Sequence, residues 1–177
     1  MTASTALRAA TAAAHEAVDA AYGRFDLTDA ASYTAFLVAH ARVLPPVEAA
    51  LAGSGVVPTF RPRAQALAAD LAALGSSTPD PLAVTIERDP AAAWGTFYVV
   101  EGSRLGGVML ARQVGGGLPT AYLSAGHGSG DWRRVRASID AADTGGDWTA
   151  RAVRAAERCF AWYAQAAAVP PDRHFAQ

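Results

Sequence analysis

His15 and Asp19 are the first residues whose types and spacing could do chemistry. On a helix, four residues apart means one turn apart on the same side. A histidine that ligates a metal through one ring nitrogen gives the N–H of the other to a carboxylate or carbonyl, which fixes its tautomer and orientation. Asp19 is placed to accept such a bond. The same spacing also describes a solvated pair worth roughly 0.2–0.5 kcal/mol, and a lone histidine on an apolar stripe also reads as a satisfied core residue. A second unusual feature lies far along the chain. Gly102, Gly106 and Gly107 sit inside the run Trp94 to Leu110, which otherwise reads as one long helix opened by an Asp89 cap and by Pro90 at the first helical position. Each interior glycine costs about 1 kcal/mol relative to alanine, and this chain uses alanine freely. Gly102 and Gly106 share one face. A face without Cβ atoms lets a flat or bulky group approach the backbone and lets the helix bend; close packing of two helices is the competing explanation. An imidazole on one helix and a bare backbone on another would suit a flat, iron-containing macrocycle held between them.

The elements that must position these residues are helical. Alanine dominates and β-branched runs are scarce, so the pattern predicts an all-α, single-domain helical bundle over residues 1–177. A first helix is expected from Ser4 or Thr5 to Tyr22, with Leu7, Thr11, Ala14, Val18 and Tyr22 as its stripe. A second starts at Thr28 or Asp29 and is kinked or interrupted at Pro45-Pro46. A third covers Arg63 to Leu74, and Leu82 to Glu87 reads as a short helix. The glycine-bearing helix runs from Pro90 to Val114 and stops at Gly115-Gly116-Gly117, which lacks the lysine of a phosphate loop. The segment up to Gly130 reads as loop, Asp131 caps a further helix, and the last runs from Asp147 to Ala168. His40 is expected to be partly buried structure, His127 exposed in a glycine-rich loop, and His174 part of a frayed tail.

All fifteen basic residues are arginine, against sixteen acidic ones, for a net charge of -1. That balance argues against a general nucleic-acid binder. Arginine clusters can still hold carboxylates through their planar forks. Cys159 is the only cysteine, which leaves no internal disulfide or cysteine metal site and suits a small core residue. The N-terminus lacks the charge and apolar pattern of a signal peptide, and no uncharged apolar run reaches spanning length. A cytoplasmic protein without a membrane partner is the expectation.

The run Leu7-Arg8-Ala9-Ala10-Thr11-Ala12-Ala13-Ala14-His15, with Asp19, resembles the N-terminal signature of heme oxygenases. In that family an L-R-x-x-T-x-x-x-H run supplies the proximal heme ligand, and an acid four residues on bonds to it. Tyr98-Val99-Val100-Glu101-Gly102-Ser103-Arg104-Leu105-Gly106-Gly107 resembles the distal-helix signature of the bacterial branch found beside bacteriophytochromes. The resemblance implies a heme-oxygenase-like bundle with heme sandwiched between the first helix and a glycine-kinked distal helix. It makes His15 the proximal iron ligand and Asp19 its partner. Gly102 and Gly106 would lie over the distal face, leaving room for O₂, with Gly107 supporting the close approach. Arg8 falls where the family places a basic residue near a heme propionate. The segment from Asp131 to Arg136 resembles one that supplies further propionate contacts, with Arg133 and Arg136 as candidates and Arg134 better read as solvated. Ser103 takes the slot where the mammalian-type signature carries an aspartate that organises water. Serine can hydrogen-bond water but holds no charge at neutral pH. Glu101, two residues before Ser103, points elsewhere around the helix, each residue turning it by about 100°.

The implied activity is oxidation of heme, as both substrate and cofactor, to biliverdin with release of CO and iron. O₂ is consumed, and electrons come from an external ferredoxin or reductase because the chain has no flavin or nicotinamide motif. A bacteriophytochrome is the implied recipient of the product. A non-catalytic heme-binding or heme-sensing protein would share His15 and the glycine helix. A helical di-iron oxygenase needs Glu-x-x-His pairs, which the chain lacks. A bundle with no ligand is the remaining alternative.

Overall fold

The computed structural model describes residues 1–170, so His174 lies outside the described residues. Among them the regular structure is helical throughout: α1 (Ala3–Ala10), α2 (Ala12–Tyr22), α3 (Ala30–Ala41), α4 (Leu44–Ser54), α5 (Ala64–Ala73), α6 (Pro90–Ala111), α7 (Ala121–Ser124), α8 (Asp131–Ala142) and α9 (Trp148–Ala168). The expected first helix is divided in two at Thr11. This residue is buried, and its hydroxyl donates to the Leu7 carbonyl at 2.7 Å while its ψ relaxes to 3°. A threonine bonding back four residues competes with the helix ladder and bends it. The break between α3 and α4 comes at Arg42 and Val43, just before Pro45 and Pro46 take up first-turn positions of α4.

The short helix expected over Leu82 to Glu87 does not form. The segment is irregular, and burial alternates residue by residue: Leu82, Val84 and Ile86 are half-buried, and Ala83, Thr85 and Glu87 are exposed. That is the period of an extended chain, and the β-branched run Val84-Thr85-Ile86 favours it. The Leu82 N–H donates to the Arg42 carbonyl at 2.8 Å, which ties the strap to the α3–α4 break. Conversely, the segment expected to be loop before Gly130 contains the one-turn α7. Asp70 of α5 makes that turn possible: its buried carboxylate accepts from the N–H groups of Ala121 and Tyr122 at 3.1 and 2.8 Å. Glu48 of α4 does the same for α5, accepting from Arg63 and Ala64 at 2.9 and 3.0 Å. These buried carboxylates replace the caps that α5 and α7 lack locally. Gly130, with φ 78°, rather than Asp131, precedes the first turn of α8; the Asp131 carboxylate instead accepts from Gly128 N–H at 2.7 Å.

The segment Ala30–Ser54 is long and apolar enough to cross a membrane, but 61% of it is buried inside the fold, where Tyr33, Phe36, Leu37, Leu44, Val47 and Leu51 build core. Cys159 is fully buried, and its thiol is pushed up to about 12 by desolvation, as expected of a packing residue.

α9 is the surface on which the other helices assemble: α6, α2, α1 and α3 all pack against it. The α6–α9 contact is backbone on backbone. A Cβ at Gly95 would overlap the Ala152 carbonyl oxygen and come within 2.7 Å of its carbon. Gly107 serves α7 in a similar way, with the Leu123 carbonyl oxygen 3.0 Å from where its Cβ would be. Gly106 has nothing within 4 Å. Gly95→Ala is therefore expected to lower unfolding stability by about 3 kcal/mol, the upper end for overpacking, because backbone faces backbone and neither can yield. Gly106→Ala should raise it by up to about 1 kcal/mol through helix propensity. Urea unfolding of both variants checks this; a Gly95→Ala protein as stable as the parent would refute the close contact.

Candidate functional site

The site begins at Tyr98 of α6. Burial raises the pKa of its phenol, and the nearby guanidinium groups of Arg8 and Arg136 and the Thr11 hydroxyl offset part of that shift. One corner thus gathers a tyrosine and two arginines from α1, α6 and α8. Ser4 helps to lock it: its backbone N–H and hydroxyl donate to Asp140 at 2.7 and 3.1 Å, and Arg136 Nε lies 3.4 Å from the same hydroxyl. Arg8 and Arg136 are both exposed. Arg133 is placed differently, with its guanidinium beside Gly130. Arg134 pairs with Asp131 at the surface.

His15 stands one turn beyond Thr11 on α2. Its side chain is 61% exposed, and its Nδ1 lies 3.0 Å from Asp19 Oδ2. The ring meets Phe160 of α9 edge-on at 5.7 Å. With Nδ1–H donated to Asp19, the neutral ring presents an Nε2 lone pair that no residue among those described engages. This geometry resolves the choice left by sequence between core histidine and exposed pair: the imidazole is outside the core, oriented by a carboxylate and steadied by an aromatic ring. α2 and α6 each rest on α9 and are not extensively packed on one another.

Gly102 stands one turn beyond Tyr98. Gly102, Leu105, Gly106 and Met109 share a face of α6. Leu105 and Met109 are 45% and 67% exposed, the large apolar side chains left in water among the described residues besides the terminal Met1. The three glycines that look alike in sequence differ in surroundings. Gly107 packs on α7, Gly106 faces open space, and the position of a Gly102 Cβ is 3.4 Å from Trp132 Cη2.

Ser103 has an exposed residue surface but a committed hydroxyl. It donates to the Val100 carbonyl at 2.7 Å and accepts from Arg63 Nη2 at 2.7 Å. One acceptor lone pair remains. Arg63 is 3% exposed, lies over the Tyr122 ring at 5.3 Å, and has an Nε with no hydrogen-bond partner among the described residues. Glu101 faces away from Ser103 and forms a buried pair with Arg104 at 2.9 Å. His127, expected to be exposed, is instead 8% exposed at its side chain, and its Nε2–H donates to the Glu101 carbonyl at 2.9 Å. Glycine-rich composition suggested a loose loop. The glycines serve compactness instead: Gly126 lies against the Val108 side chain, where a Cβ would clash. Arg63, Tyr98 and Trp132 escaped the sequence reading. Tyr98 lay inside a quoted motif and Trp132 beside the candidate arginines; nothing local to Arg63 marks it.

A cavity of about 390 Å³ opens on the opposite side of α6, lined by Phe97, Glu101, Arg104, His127 and Arg134 among others. It is remote from the stripe that carries Gly106. Among the described residues, no cluster of three or more histidine, cysteine or acidic side chains could hold a metal ion.

These features belong to an all-helical fold seen before. The chain is similar in structure to the NO- and CO-bound heme oxygenase from Neisseria meningitidis, with a TM-score of 0.80 over 94% of this chain and 90% of that one, at 22% identity. The chain thus has the heme-oxygenase fold. No protein-family model matches the sequence, and no curated protein does.

Two outcomes follow from the buried polar groups. His40 Nδ1–H donates to the Phe36 carbonyl at 3.0 Å, and the ring is packed against Tyr22 and Phe36 at 4.5 and 4.4 Å. Desolvation lowers its pKa to about 4. Between about pH 6.5 and 4 the unfolded chain binds a proton that folded His40 refuses, so stability falls as pH drops through that window and levels off below it. The effect is at most about 3 kcal/mol. His40→Phe should flatten the pH dependence of Tm in this range relative to the parent; parallel curves would mean that His40 does not contribute. Ser103→Ala should cost about 1–3 kcal/mol in urea unfolding, because a buried cation loses an acceptor. An unchanged midpoint would show that Arg63 finds another partner.

Proposed function

We propose that this chain is a heme oxygenase, converting heme to biliverdin with release of CO and iron, using O₂ and electrons from an external donor. The observation that carries the reading is the His15 imidazole, exposed, held at Nδ1 by Asp19 and open at Nε2, on a heme-oxygenase fold whose α6 presents the bare, unfilled Gly106 position. A bound heme supplies the iron at which O₂ is activated and the macrocycle that is oxidised.

The chain's own residues have separable tasks. His15 Nε2 would ligate the iron, while Asp19 holds the Nδ1 proton, fixing the tautomer and raising the basicity of the ligand. Gly106 admits a flat group against the backbone, and Leu105 and Met109 offer it apolar cover. Arg8 and Arg136, with Tyr98 between them, suit the propionates through charge-assisted hydrogen bonds; Arg133 would reach them only by turning away from Gly130. Ser103 can accept one hydrogen bond from a water at its remaining lone pair, with Arg63 polarising the hydroxyl from behind. The serine in place of a carboxylate supports assignment to the branch found beside bacteriophytochromes. A ferredoxin or reductase as donor, a bacteriophytochrome as recipient and a cytoplasmic setting belong to the same proposal.

The decisive experiment adds hemin to the purified protein, then reductant and O₂, and identifies the pigment. Biliverdin with CO is expected; recovery of intact heme would leave a binder and end the enzyme reading. His15→Ala should keep the helical circular dichroism, since the side chain is largely exposed, but lose the axial-ligand spectrum and turnover. Asp19→Ala should retain ligation and lose 10- to 100-fold in affinity or activity, with a shifted iron–histidine stretch in resonance Raman. An unshifted stretch would remove Asp19 from the mechanism.

A further inference from the structure

Gly102 and Gly106 are interchangeable in sequence pattern, yet only Gly102 has a neighbour against its bare face. The six-membered edge of Trp132 lies against the bare face at Gly102, with Cη2 at 3.4 Å and Cζ3 at 3.9 Å from where a Cβ would be, ordinary van der Waals distance, while Gly106 has no neighbour within 4 Å. We propose that Trp132 is a specificity-determining wall: it fixes how far a macrocycle can slide along α6, and thereby which meso edge faces the oxygen site. The proposal rests on the heme-oxygenase reading.

The wall is held in place. The indole lies 5.7 Å from the Tyr98 ring and 6.0 Å from His127, centroid to centroid. Trp132 is the second residue of α8, and the segment leading to it is tethered to α6 itself. Arg104 donates to the Ala125 carbonyl at 3.0 Å, and His127 donates to the Glu101 carbonyl at 2.9 Å. Arg104 is in turn paired with buried Glu101. These bonds hold the backbone that carries Trp132 and the His127 ring beside it, and the indole's contacts with Tyr98 and His127 favour the position against Gly102, so a macrocycle seats against the indole. The polar corner of Arg8, Tyr98 and Arg136 lies one turn before Gly102 and anchors the anionic edge. Close approach to the backbone is then available at Gly106. In-plane position is set by two fixed points, the arginine corner and the Trp132 edge.

The test uses the full chain reconstituted with hemin. Heme-methyl proton resonances of the cyanide-bound ferric complex report in-plane seating without turnover, and separation of biliverdin isomers reports the edge attacked. The parent should give one dominant isomer. Trp132→Ala should add a set of methyl resonances absent from the parent and raise a second isomer to about a tenth of the product or more. Trp132→Phe keeps an aromatic ring against Tyr98 but falls short of Gly102, and should give an intermediate distribution; it carries the test if the alanine variant does not fold. A residue with a merely structural role would lower Tm and leave both readouts unchanged. Hemin uptake with the parent's methyl pattern and isomer ratio in both variants overturns the wall. A parent protein that takes up no hemin overturns the wall and the heme-oxygenase reading together.

Discussion

The contact of α6 on α9 at Gly95 and Ala152 is the constraint on which the arrangement depends. Two helices whose backbones touch have no side-chain layer to absorb adjustment, so the axis of α6 is fixed on α9 at that point. α2 leans on the same helix through a different part of its surface. The separation between the imidazole of His15 and the bare stripe of α6 is therefore set by α9, which contributes Phe160 against His15 and little else to the site. α2 and α6 are each packed on α9 and need no extensive contact with one another for burial.

Buried charge does a second kind of work. Glu48, Asp70, Arg63, Glu101 and Arg104 are each at most 5% exposed; the side chains of all but Glu101 bond to backbone groups, and the Glu101 carboxylate accepts from Arg104. The carboxylates of Glu48 and Asp70 start helices that could not cap themselves. The guanidinium groups of Arg63 and Arg104 connect α6 to the segments on its two flanks. Removing one member of such a set leaves its partner desolvated and unpaired, which costs more than the bond was worth. These positions should therefore resist substitution for reasons separate from any ligand.

The long helices were legible because their signals are local. Asp29 and Asp89 each cap with their own side chain, Pro90 opens α6, and glycines follow the ends of α2 and α4. α7 was not legible, since its cap is Asp70, some fifty residues away in sequence. The strap over residues 82–87 was open to a better reading: its alternation and β-branched run point to extended chain, and a short apolar stretch is where the two periods are most easily confused. At the site, the pairing of His15 with Asp19 and the bare position at Gly106 were legible because residue identity and helical spacing define them. The commitment of Ser103 to Arg63, the burial of His127 and the packing of Trp132 against Gly102 depend on which surfaces meet, and one sequence does not encode that at any single position.

The apolar ridge of Leu105 and Met109 has a consequence for the life of the protein in a cell. An empty molecule shows water a flexible thioether and a leucine on a helix face with no Cβ between them, a surface favourable for sticking to other chains and open to oxidation. On the proposed function the ridge is covered by a ligand that recognises the folded form. At a hundredfold excess over its dissociation constant, it adds about 2.7 kcal/mol to folding by mass action alone. Under the proposed function, where heme covers the ridge, abundance of the protein would follow heme supply, and copies made when heme is scarce would be the ones most exposed to aggregation and proteolysis.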